Sequence, residues 1–222
     1  MENIIIFGLG PLSKTVYELA KHNHATQKIC GFAADDEYCK DELFCGLKIF
    51  KLSELLHNNA FSQYKFILCI GYKSMRNRKL LFEKLSGYNF EFTNIIHPSV
   101  TIVGPLNIGV NNIIFPNVTV ENNVTLGDNN IIWSQTLIGH DAVINNHNYI
   151  AAKVLFGGNC TMHDMCFIGN AVFMINDLEI KDETYIIAGS GLFNTTFEEG
   201  LKYYGNPAKR VGNHKETGII ID

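Results

Sequence analysis

From Ser99 to Asn194 the chain can be written six residues to a line without a slip, and the fourth residue of every line is apolar, from Ile102, Ile108 and Ile114 through Phe156 and Met162 to Ile186 and Leu192. A helix repeats its apolar face every three or four residues and a half-buried strand every two, so a strict six-residue period fits neither. It is the period of a solenoid. The second residue of each line is mostly small or short, as at Val100, Val118, Thr136, Ala142, Cys160, Cys166 and Ser190. A narrow interior corner requires this. Short flat strands meeting at turns, each sending one aliphatic side chain inward, account for both columns.

This hexapeptide pattern resembles that of the left-handed parallel β-helix acyltransferases, in which three hexads make one triangular coil. The second-column departures agree with that count, because Asn112, Asn130 and Asn148 recur every third hexad. They are expected to stack inside the solenoid as a ladder, amide on amide. Phe115, Trp133, Phe167 and Phe173 fall on the outer faces. A monomer would leave them in water, which points to a homotrimer packed side by side.

The chain of 222 residues is 46% hydrophobic and 18% charged, enough for one large or two small domains. Its net charge of −4 gives no reason to expect nucleic acid or an anionic membrane surface as partner. No apolar run reaches the roughly 20 residues of a membrane span, and the start Met1-Glu2-Asn3-Ile4 lacks the basic region of a signal peptide, so a cytoplasmic protein is expected. The six cysteines lack metal-ligand spacing, and Cys160 and Cys166 read as core packing. No metal is expected.

Residues 1–95 alternate strand and helix signals. Ile4-Ile5-Ile6-Phe7 is a buried-type strand, Gly8-Leu9-Gly10-Pro11 a tight turn and Ser13 to Lys21 a helix; Lys28 to Ala33 and Phe66 to Ile70 are further strands, and a last helix runs to about Leu85. This is the βαβ pattern of a small Rossmann-like α/β domain, which takes ligands at the carboxyl ends of its strands. Gly8, Gly10, Ser13 and Lys14, the acidic pair Asp35-Asp36, and Gly71 fall at such ends. Ser13 stands where a dinucleotide fingerprint has its third glycine, which argues against NAD. Pro98 biases His97 toward an extended entry into a β-helix spanning residues 96–195. Residues 196–222 form a cap and tail, with Phe193, Phe197 and Leu201 closing the open interior.

At the corners, His140-Asp141 stands out by its chemistry. An imidazole titrates near neutrality, and an adjacent carboxylate can orient it and stabilise its protonated form, as a general base needs. His163-Asp164 sits differently in its hexad and reads as a surface corner, and His147, which opens a hexad, is expected to face solvent.

The Gly-turn domain, the His97-Pro98-Ser99 entry, the unbroken hexads, Gly139-His140-Asp141, and the run Gly205-Asn206-Pro207-Ala208-Lys209-Arg210 together resemble the sialic acid O-acetyltransferase and nucleotide-aminosugar N-acetyltransferase family over nearly the whole chain. The resemblance implies that His140 is the catalytic base assisted by Asp141, that acetyl-CoA lies between subunits of a trimer, and that the N-terminal domain holds a nucleotide sugar through Gly8, Gly10, Ser13, Lys14, Asp35, Asp36 and Gly71. The family often has a second His near the thioester, nine residues after the first, where this chain has Tyr149. Along the axis, Gly158 lies one coil beyond His140, and Ala152, Asn170 and Ala188 form a column of small corner residues beside which an extended pantetheine arm is expected to run. Lys209 and Arg210 are placed to reach its phosphates. The implied reaction is N-acetylation of a nucleotide-linked amino sugar. O-acetylation of a sialic-acid-like sugar and a non-catalytic trimeric scaffold are the alternatives.

Overall fold

A computed structural model describes residues 1–23, 26–70 and 73–221. The chain opens with β1 (Glu2–Phe7), α1 (Pro11–Ala20), β2 (Gln27–Ala34), β3 (Leu43–Phe44), β4 (Leu47–Lys51), α2 (Leu52–His57), β5 (Lys65–Leu68) and α3 (Met75–Ser86). These strands form one sheet in the order β3-β4-β2-β1-β5. All neighbours are parallel except β3 and β4. That pair is a tight hairpin whose two turn residues, Cys45 and Gly46, both take positive φ. The continuous apolar run of β1 suits a strand covered on both faces, and Ile4, Ile5 and Ile6 are fully buried.

The solenoid has three walls. The first holds six parallel strands from Thr101–Ile102 to Gly191–Leu192, and the second six from Leu106–Ile108 to Thr196–Phe197. The third runs from Ile95–Ile96 to Tyr185–Ile186 and ends in the antiparallel pair Leu201–Gly205 and Ala208–Asn213. Partners in adjacent coils are 18 residues apart, as in Thr101, Thr119, Leu137 and Leu155, so three hexads do close one coil. The register shortens only after Asn194: Glu179 pairs with Thr196 and Tyr185 with Lys202, 17 residues on. Phe197 and Leu201 then close the interior, as expected, together with Tyr203. Phe193 does not: its side chain points outward, is 45% exposed and meets the edge of Phe173.

From Asn111 to Gly189 each turn between walls uses one residue in the left-handed region. Every hexad-opening residue from Asn111 to Glu183 has φ between +51° and +63°. Asn and Asp tolerate that conformation best among residues with a side chain, which explains why they fill so much of this column.

The Asn ladder is internal, but its bonding differs from the stacking expected. Asn112, Asn130 and Asn148 are fully buried, and each side-chain carbonyl accepts the main-chain N–H of the next rung: Asn130 at 3.0 Å, Asn148 at 2.9 Å and Cys166 at 2.7 Å. The amide nitrogens of Asn112 and Asn130 donate instead to the carbonyls of Gly127 and Asn145, at 2.9 and 2.8 Å. Main-chain N–H groups turned inward at a corner need an acceptor, and they take the side-chain oxygens first. Side-chain-to-side-chain stacking occurs one column earlier, where Asn111 donates to Asn129 at 2.8 Å and Asn129 meets His147 Nδ1 at 2.9 Å.

The N-terminal sheet, α1 and the C-terminal tail cover the third wall. Ile4, Ile6, Val16 and Phe32 share one core with Ile113, Phe115, Ile131, Tyr149 and Phe167. Two expectations are corrected by this packing. Phe115 and Phe167 are buried, and Trp133 stacks on Phe115 at 3.9 Å, so these rings are covered by the chain's own N-terminal half and do not require a second copy. His147 does not face solvent: it points away from the solenoid interior but is only 6% exposed, its ring against Phe82 of α3. Beside it the fully buried Arg78 of α3 donates to the carbonyls of His147 and Asn148 at 3.1 and 3.3 Å and to the side-chain and main-chain oxygens of Asn129. Burial, with Arg78 nearby, pushes the His147 imidazole down to about 4.

Asn130→Ala removes the partners of two inward groups, the Asn148 N–H and the Asn145 carbonyl, at about 1–3 kcal/mol each, so stability should fall by about 2–6 kcal/mol in chemical denaturation. Asn107→Ala, on an exposed outer face, should stay within about 0.5 kcal/mol. Equal effects would overturn the ladder.

Candidate active site

Gly139, His140 and Asp141 form a corner between the first and second walls, and each has a local reason to be there. A Cβ on Gly139 would stand 2.6 Å from the Gly158 nitrogen in the next coil, so only glycine fits. His140 projects from the corner, and Asp141 takes the left-handed turn at φ +57°. That geometry brings His140 Nδ1 to 2.8 Å from Asp141 Oδ2. A carboxylate acceptor fixes the proton on Nδ1 and leaves the Nε2 lone pair free. The imidazole is half exposed. Its basicity is raised, first by the hydrogen bond to Asp141 and then by the charges of Asp141, Glu121 and Asp177. The Asp141 carboxyl is held below its ordinary range, first by Asn123 and then by His140.

Gly158 lies directly against this ring, as its column position implied. A Cβ there would meet His140 Nε2 at 2.7 Å. Two further neighbours were not anticipated: Asn123 Nδ2 donates to Asp141 Oδ1 at 2.6 Å, and the His140 N–H donates to Glu121 Oε2 at 2.8 Å. Asn123 could have been found by counting back one coil from Asp141. Glu121 carries no periodic signal. His163 pairs with Glu179 at 2.9 Å, while Asp164 accepts the Asn146 N–H, so the second His-Asp dipeptide is not a dyad.

Tyr149, Asn170 and Ala188 come together elsewhere. With Leu12, Trp133 and Tyr185 they line a cleft of ≈ 530 Å³ between the start of α1 and the corner joining the third and first walls. The Tyr149 ring is buried and lies flat on Phe167, with centroids 4.9 Å apart. Asn170 Oδ1 accepts the Ala152 N–H at 3.0 Å. Lys209 and Arg210 are exposed on the last strand.

At the N-terminal turn, Gly8 has φ +131°, and a Cβ would stand 2.8 Å from both Cys69 O and Ser13 Oγ. Gly10 caps α1 without a side chain, and Lys14 is exposed. Ser13 does not present its hydroxyl to ligand: it is fully buried and donates to the Cys69 carbonyl at 3.2 Å. Asp35 pairs with Lys84 at 2.8 Å, and Asp36 accepts from the Ser53 hydroxyl at 2.6 Å. Gly71 lies outside the described residues. Among the described residues no helix is long and apolar enough to cross a membrane.

No protein-family model and no curated protein matches the chain. Solved structures do. The acetyltransferase domain of PglB from Neisseria gonorrhoeae FA1090 is 21% identical, with a TM-score of 0.79 over 95% of this chain and 100% of that one. WeeI from Acinetobacter baumannii AYE is 18% identical, with a TM-score of 0.81 over 95% and 100%. A variant of perosamine N-acetyltransferase from Caulobacter crescentus, in complex with CoA and GDP-perosamine, is 18% identical, with a TM-score of 0.72 over 96% and 98%. The chain therefore shares, over nearly its full length, the fold of these three structures.

Gly158→Ala should push the His140 ring off Asp141 without unfolding the corner. An NMR titration should then show the His140 pKa falling toward the ordinary 6.5 or so, with an unchanged melting temperature. An unaltered titration would mean that the ring does not depend on the bare Gly158 surface.

Proposed function

We propose that this chain is an acetyl-CoA-dependent N-acetyltransferase acting on the amino group of a nucleotide-linked amino-deoxy sugar in the cytoplasm. The observation that carries the reading is the His140–Asp141 dyad, with a free Nε2 at a solenoid corner. It is supported by the fold shared with proteins whose structures hold CoA and GDP-perosamine. In this reading residues 1–95 are a Rossmann-like nucleotide-sugar domain, 96–195 a left-handed β-helix and 196–222 a cap. The turn from Gly8 to Lys14 offers the uncapped amides of α1 to the phosphates, and Asp35 and Asp36 lie along the nucleoside. The pantetheine arm runs between copies, beside Gly158 of one and Ala152, Asn170 and Ala188 of the next, with Tyr149 on the thioester side of that second face and Lys209 and Arg210 toward the coenzyme phosphates.

The chemistry is aminolysis of a thioester. The acceptor nitrogen attacks the acetyl carbonyl, and His140 Nε2 takes the proton lost as the C–N bond forms. Asp141 stabilises the resulting imidazolium through Nδ1–H. Collapse breaks the C–S bond, and the proton passes to the departing thiolate.

The assembly is read as a homotrimer. His140 stands at the edge opposite the third wall, the wall that the chain's own N-terminal half covers. A sugar nucleotide held by that half reaches a base only on another copy. The first wall supplies a surface for this, with Leu155, Ile175 and Phe193 each more than 40% exposed. Sedimentation should give a trimer at micromolar concentration, and a stable monomer would remove the intersubunit site.

The catalytic reading is tested with acetyl-CoA and UDP-, dTDP- and GDP-linked 4-amino sugars, following thiol release. His140→Ala should lower kcat by about 10²- to 10⁴-fold with assembly intact, and Asp141→Asn by less. A base acts only when neutral, so a raised imidazole pKa places the acid limb of the pH profile above about 6.5, and Asp141→Asn should move it down. Wild-type turnover by His140→Ala would end the general-base assignment. Release only with free nonulosonic acids would redirect it to O-acetylation, and no release at all to a scaffold.

A further inference from the structure

We infer that Asn123 is a positioning residue of the His140 site, holding the Asp141 carboxylate in the one orientation that serves the imidazole. This rests on the reading of His140 as the base and deepens it.

Asn123, Asp141, Asn159 and Asp177 open hexads 18 residues apart at one edge of the solenoid, with φ of +59°, +57°, +55° and +63°. Nearly equal φ at equivalent positions of successive coils aims their side chains alike, so each lies over the next. Asp141 divides its oxygens between two partners: Oδ1 accepts Asn123 Nδ2 at 2.6 Å, and Oδ2 faces His140 Nδ1 at 2.8 Å. The torsion that turns a carboxylate is broad and weakly held. The dyad is also about half exposed, with side chains 49% and 45% accessible. Nothing in the packing of so open a corner would keep Oδ2 on Nδ1, and the amide of Asn123 supplies that constraint. Glu121 does the same for the main chain by accepting the His140 N–H. Outer partners of this kind set the tautomer and direction of a histidine even though they touch no substrate.

The column contains its own control. Asn159 Nδ2 donates to Asp177 Oδ1 at 2.5 Å, repeating the Asn–Asp pair two coils on. There the residue before the aspartate is Asn176, which accepts the Gly158 N–H at 2.9 Å, so no imidazole is served. Asn123→Ala and Asn159→Ala each trade an exposed left-handed Asn for Ala and each delete one amide-to-carboxylate bond. Their structural costs should match.

The test uses the full-length protein and both variants. NMR of the His140 ring nitrogens reads tautomer and titration, and the pH profile of acetyl transfer is measured alongside. In Asn123→Ala the Nδ1–H tautomer should lose its dominance and the His140 pKa should fall. The acid limb of kcat should move to lower pH, and kcat should drop about tenfold at unchanged acceptor KM. Asn159→Ala leaves the His140–Asp141 bond and the more distant Asp177 charge in place. It should therefore leave the tautomer unchanged and move the titration and kcat far less, with the same change in melting temperature. Unchanged tautomer and titration in Asn123→Ala would overturn the proposal, as would an equal shift in Asn159→Ala. If Asn123→Ala shifts the ring while the wild-type protein acetylates no acceptor, the positioning holds and the assigned reaction fails.

Discussion

Everything in the solenoid depends on a main chain that turns at every sixth residue while its amides bond along the axis to the coils on either side. From Asn111 to Glu183 the turn is made by one residue in the left-handed region, which recurs at nearly the same angle in successive coils alongside the inter-coil bonds. Side chains at equivalent corners are thereby stacked and can satisfy each other's backbones. Along one edge Asp128, Asn146, Asp164 and Asp182 each accept the N–H of the residue 18 positions earlier, all at 2.8 Å. The Gly139–Asp141 corner uses this same backbone. Its chemistry is an ordinary turn carrying an unusual pair of side chains.

The joint with the N-terminal half uses a different principle. Arg78 is a cation buried among carbonyl oxygens, and burial pulls its pKa down to about 9. A guanidinium suits this position because its planar fork can reach three main-chain carbonyls at the mouth of the third wall at once. At the other end of the joint Arg76 pairs through two nitrogens with Glu183 and bonds the carbonyls of Lys215 and Glu216, tying the tail to both halves. With one wall committed in this way, the exposed apolar side chains of the first wall, Leu155 among them, stay open to other contacts.

The six-residue period made the solenoid and its 18-residue coil readable, and the position of His140 followed because a corner residue needs only its hexad number. Burial at the outer columns was not readable. Phe115, Phe167 and His147 point away from the solenoid interior and would be exposed on an isolated β-helix. Whether they meet solvent depends on where α3 and β1 dock, which no local pattern encodes. The left-handed column was visible as a run of Asn and Asp at hexad starts, although those residues read equally well as polar decoration. Ser13 shows the limit of motif transfer: it sits at the expected place in the turn, but its hydroxyl serves the Cys69 carbonyl.

An 18-residue coil also works as a ruler. Each coil advances the axis by about 4.8 Å, the spacing of neighbouring strands, so the height of His140 is a whole number of steps from the first strand. Loss or gain of one complete coil preserves every corner angle and every stacked contact while sliding the base by that fixed distance past whatever it faces. The reach between base and bound substrate can therefore be reset during evolution by duplication or deletion of a coil, with no residue of the corner itself altered.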